Sequence, residues 1–107
     1  MGPCASGKTT LGRRLRELGY EVREPAQEHS GVPDLWRRRS PDILIYLDVS
    51  LAVTRRRDRP GWPQFLWEAQ QSRLAHARQH CDCYLLTDDL APEEVCRRVL
   101  AFLSVDR

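Results

Sequence analysis

Gly2 to Thr10 reads GPCASGKTT. The spacing Gly-x-x-x-x-Gly-Lys-Ser/Thr is met by Gly2, Gly7, Lys8 and Thr9. This pattern cradles phosphate. Its glycines let the backbone curl so that N–H groups point inward, and the helix that follows presents its positive dipole end. Gly2, Pro3, Cys4, Ala5, Ser6, Gly7, Lys8, Thr9 and Thr10 are therefore the candidate nucleotide-binding residues. Lys8 is placed to neutralise the β and γ phosphates, and the Thr9 hydroxyl to bind Mg²⁺. The plainer reading is a glycine-rich arm in front of an ordinary helix.

The 17 basic residues of the chain include one lysine, Lys8; the rest are arginine. Such a bias replaces lysine wherever arginine serves. A compact ammonium reaching a phosphate is one place where the two are not interchangeable. The chain has 107 residues, is 41% hydrophobic and 30% charged, and carries a net charge of +2, which suits one globular domain over 1–107. That small charge, with no alternation of aromatic and basic residues, argues against a nucleic-acid partner. The longest apolar run, Ile43 to Leu47, is far shorter than the roughly 20 residues of a membrane helix. No membrane partner and a cytoplasmic location are expected. Cys4, Cys81, Cys83 and Cys96 are irregularly spaced and do not read as a disulfide framework.

Beyond the loop, Leu11, Leu15 and Leu18 form one helical stripe, and Gly19 is a helix stop. YEVREPA reads as a short strand ended by Pro25. One helical turn is predicted around 33–38. DILIYLDVS is the continuous apolar run of a parallel strand buried on both faces. LAVTRRR reads as a short helix, QFLWEAQQSRLAHARQH as one longer helix and CDCYLLT as another strand. In DDLAPEEVCRRVLAFL, Pro92 and two acids open a helix whose apolar stripe includes Val95, Val99 and Phe102. Strands alternating with helices predict an α/β three-layer domain, with a parallel sheet and helices on both faces.

Three stretches carry a family resemblance: the loop itself, GYEVREPA (19–26) and PDILIYLDVS (41–50). With them the chain resembles P-loop kinases of the nucleoside-monophosphate kinase group, nearest to thymidylate kinases. It is shorter than they are, lacks their Asp-Arg strand between the second and third stretches, and shows no acceptor-base pocket. The resemblance implies a P-loop NTPase-like fold whose first strand is largely missing here, since only Met1 precedes the loop; an N-terminally short chain is the expectation. It implies ATP and Mg²⁺ as cofactors, with transfer of the γ-phosphoryl group to a small-molecule acceptor. It also places TDDLAP (87–92) beside the adenine base. The alternative is an NTP-binding or hydrolysing regulatory module without its own acceptor.

Phosphoryl transfer needs positive charge over the migrating group. Arg55, Arg56, Arg57 and Arg59 enter the PGWP loop and are candidate catalytic residues on a lid, alongside Lys8. Their plainer reading is a solvated basic helix end. Arg23, Glu24, Glu28 and His29 are candidate acceptor-binding residues: Arg23 for a phosphate, a glutamate to orient a hydroxyl. A polar surface loop is the alternative. Asp48 ends a strand, where it either holds Mg²⁺ with Thr9 or caps the next helix. Trp36 is a cleft wall or a packing anchor. His76, His80, Cys81 and Cys83 have metal-like chemistry at unusual spacing for zinc. Cys4, inside the loop, is a position where oxidation would block nucleotide.

Overall fold

The computed structural model describes residues 1–39, 42–57 and 60–105. Among them, helix α1 (Lys8–Glu17) is followed by two 3₁₀ turns, Gln27–His29 and Leu35–Arg39. Then come strand β1 (Ile45–Asp48), helices α2 (Leu51–Arg57), α3 (Gln64–Arg73) and α4 (Ala75–His80), strand β2 (Cys83–Leu86) and helix α5 (Pro92–Val105). β1 and β2 pair in parallel, with Ile45 opposite Cys83 and Asp48 opposite Leu86. Parallel partners need a long crossover, and α2, α3 and α4 supply it.

The run from Ile43 to Leu47, which leads into and forms most of β1, is apolar because both faces of the strand are covered. Leu47 packs with Leu11 and Leu15 of α1 and with Val95, Val99 and Leu103 of α5. Leu44 and Tyr46 pack on the other side against Trp36, Leu74 and Ala77. Trp36 thus packs as an anchor, and it also lines a cavity that it shares with Lys8, Arg23 and Glu24. Leu18, on the stripe read for α1, is 59% exposed, because the helix ends before that position can turn inward.

The three-layer P-loop NTPase domain expected from the sequence is not what forms. Helices lie on both faces of β1, but among the described residues the sheet has two strands. The three-layer domain needs a larger, multi-strand sheet. Residues 20–26, read as a strand, join no ladder. The Val22 carbonyl instead accepts from the Arg16 guanidinium at 2.9 Å. At the other edge, the Met1 amino group donates to Ile45 O (2.8 Å) and Leu47 N–H donates to Met1 O (2.7 Å). Those are the two bonds of a parallel bridge opposite Tyr46. The stretch 64–80, read as one helix, is two. They meet at Leu74, where the Arg78 guanidinium donates to Gln71 O at 3.3 Å. No helix among the described residues is long and apolar enough to cross a membrane.

Candidate functional site

Gly2 lies against β1 so closely that a Cβ there would sit 1.9 Å from the Leu47 carbonyl oxygen. The chain then turns, with Ser6 N–H donating to Pro3 O at 3.2 Å. Ala5 (φ 66°) and Gly7 (φ 97°) are left-handed, and Gly7 caps α1 without a side-chain hydrogen bond. The first N–H groups of α1 thus have no side-chain acceptor from the cap. An anion is the natural partner for such groups.

Lys8 Nζ reaches back over the loop, donating to Gly2 O at 2.7 Å and pairing with the Glu28 carboxylate. The pair is largely out of water, with side-chain exposures of 18% for Lys8 and 5% for Glu28. The turn Gln27–His29 brings Glu28 here, and α3 holds the turn. Buried Gln27 donates to Arg73 O (3.2 Å) and accepts from Trp36 N–H (3.0 Å), while Arg73 donates to Glu28 O (3.2 Å). α3 also holds the loop. The Gln70 amide accepts from Cys4 N–H (3.1 Å) and donates to Cys4 Sγ (3.3 Å).

On the far side of the loop, Arg57 ends α2. Its guanidinium donates to Ala5 O (2.9 Å), to Thr87 Oγ1 (3.0 Å) and to Thr87 O. Thr87 Oγ1 in turn donates to Ser6 O at 2.9 Å. These contacts border a cavity of about 330 Å³ lined by Ala5, Ser6, Gly7, Thr10, Arg57, Thr87, Leu90 and Pro92, among others. The loop and the 87–92 segment, linked in the sequence only through a resemblance, share this space. Its volume lies within the usual range of small-molecule sites.

The other candidates are placed as follows. Glu28 comes to Lys8, and His29 Nε2 lies 4.0 Å from Glu28 Oε2. Arg23 pairs instead with Glu21 on the surface (2.7 Å), and Glu24 with Arg16 (3.0 Å). Arg55 donates to Trp62 O (2.9 Å), and Arg56 is exposed. Arg59 lies outside the described residues. Thr9 is exposed at the start of α1. Asp48 accepts from Tyr84 Oη (2.7 Å), from Gln71 Nε2 (3.2 Å) and from Val49 N–H (2.9 Å), so both its oxygens are engaged. The His76–Cys83 cluster is committed to packing. Trp36 Nε1 donates to His76 Nδ1 (3.1 Å), His80 stacks on His76, and Cys81 Sγ donates to Arg78 O (3.2 Å). Burial also pushes the Cys81 and Cys83 thiols above their ordinary pKa.

Sequence reasoning did not single out Gln70, Arg73 or the Thr87 side chain. A glutamine inside a helix carries no signal of the loop it will hold. Thr87 was marked only as part of a segment.

No family model matches the chain, and neither a curated protein nor a solved structure matches it.

Proposed function

We propose that this protein binds Mg·ATP through residues 2–10 and passes the γ-phosphoryl group to a small-molecule acceptor. The observation that carries the reading is Lys8 Nζ on Gly2 O, above a loop with two left-handed residues and an uncapped helix start. The reading rests on this local geometry and not on the sheet. A phosphate oxygen would take Lys8 from Glu28, and the Thr9 hydroxyl would bind Mg²⁺. Arg57, fixed to Ala5 O and Thr87, supplies positive charge beside the loop. Glu28, released from Lys8, accepts the proton of an acceptor hydroxyl. The cavity beside Thr87 to Pro92 takes the base.

The second reading, an NTP-binding or hydrolysing module without its own acceptor, is favoured by one observation. Arg23, the cation read as the grip for an acceptor phosphate, is paired with Glu21 on the surface.

Calorimetry of Mg·ATP with the wild type and with Lys8→Ala tests the binding step. We expect wild-type binding and at least about a tenfold loss in the variant, since a charge-assisted contact contributes about 1.5–3 kcal/mol. Equal affinities, or no binding to the wild type, would overturn the reading. Labelled γ-phosphate appearing in an added acceptor supports the kinase; release as inorganic phosphate alone supports the second reading.

A further inference from the structure

Three side chains of different chemistry converge where the phosphate loop meets the Gln27–His29 turn. A ligand atom from each of Cys4, Glu28 and His29 lies within 4.8 Å of the other two. Tetrahedral zinc, with bonds of about 2.0–2.3 Å, sets its ligand atoms roughly 3–4 Å apart. The three groups are thus within a small side-chain rotation of that arrangement, and His29, 60% exposed, is free to make it.

A second observation points to a cation here. Glu28 Oε1 is buried and has no hydrogen-bond partner among the described residues, while Oε2 pairs with Lys8. A carboxylate oxygen only accepts, so a donor or a cation is what relieves it. The backbones carrying the groups are fixed: Gln70 holds Cys4 N–H, and Arg73 holds Glu28 O.

We propose that Cys4, Glu28 and His29 form a divalent-metal site of the zinc class, with three protein ligands and one open position. The donor set decides the class. Thiolate and imidazole favour zinc over magnesium or calcium, which prefer oxygen throughout. Coordination releases the Cys4 thiol proton to solvent, and the metal competes with Lys8 for Glu28. The site shares Cys4 with the loop and Glu28 with Lys8, so metal and nucleotide binding are coupled, but the metal titration needs no nucleotide.

The test is a titration of the full chain with Co²⁺ as an optical probe, followed by displacement with Zn²⁺. We expect a single Co²⁺ per chain with a thiolate-to-metal charge-transfer band that zinc removes. Cys4→Ser, which keeps an acceptor for Gln70, should abolish the band. His29→Ala, at an exposed position, should weaken cobalt binding at least about tenfold. The double variant Cys81→Ser/Cys83→Ser should keep the band. A wild type without the band, or a band that survives Cys4→Ser, would overturn the site. Should Cys4→Ser not fold, unchanged cobalt affinity in His29→Ala would overturn it equally.

Discussion

A methyl group on Gly2 would collide with the Leu47 carbonyl oxygen at 1.9 Å, and that oxygen belongs to the backbone of the central strand. It cannot swing away as a side chain would. On Gly7 the same methyl would meet nothing within 4 Å among the described residues, but the residue would have to hold φ 97°. The two glycines of one motif are therefore required for different reasons: space as well as backbone conformation at Gly2 (φ 156°), conformation alone at Gly7. We expect Gly2→Ala to destabilise the chain by about 3 kcal/mol, as overpacking against a rigid neighbour does. Gly7→Ala should cost only about 1–2 kcal/mol, the left-handed penalty for a residue with a Cβ. Urea unfolding of both variants checks the order; Gly7→Ala as the worse of the two would contradict the close approach of Gly2 to β1.

At the scale of elements, the loop, α2 and β2 are joined through Thr87. Its side chain is 1% exposed, donates to Ser6 O at 2.9 Å and accepts from Arg57 at 3.0 Å. Thr87→Val keeps the shape and removes the hydroxyl, leaving a buried carbonyl without this donor. We expect a loss of about 1–3 kcal/mol in urea unfolding; under the proposed function, Mg·ATP binding would weaken too as Arg57 loses a fixed point. An unfolding midpoint equal to the wild type would show that the hydroxyl does not join these elements. This junction was only partly legible in the sequence. α1, α2 and α5 were readable because each has a local stop or start signal: Gly19, a run of arginines, and Pro92 with its acids. β1 was readable because five consecutive apolar residues, Ile43 to Leu47, suit a strand covered on both faces. Residues 20–26 alternate well enough for a strand, but pairing is non-local, and Arg16 takes the Val22 carbonyl instead. The same limit applies to the site. The loop is a contiguous pattern and was read directly. Arg57 could not be told from Arg55 and Arg56, because what distinguishes it is Thr87, thirty residues away.

In the 107-residue chain with its amine free, Met1 makes the stability of the whole molecule depend on pH. The Met1 amino group donates to Ile45 O within the interior. Burial first, and then the positive charge of Lys8, lower its pKa from 8.0 to about 6; Glu28 works against this. The unfolded chain therefore binds more protons than the folded chain between pH 6 and pH 8, so stability rises with pH across that window. The gain is complete above pH 8 and is lost as pH falls through 6. Two pKa units correspond to about 3 kcal/mol. His76, whose pKa is also lowered, adds a change of the same sign, so the amine must be isolated from it. Acetylating the amino group does so, because it removes the titration at Met1 and leaves the histidines. We expect urea-derived stability of the 107-residue chain with a free amine to climb between pH 6 and pH 8, and the acetylated chain to climb distinctly less. Equal slopes would mean that the amine stays hydrated in the folded protein. The bridge from Met1 to β1 would then not be the buried contact that anchors the glycine-rich loop to the central strand.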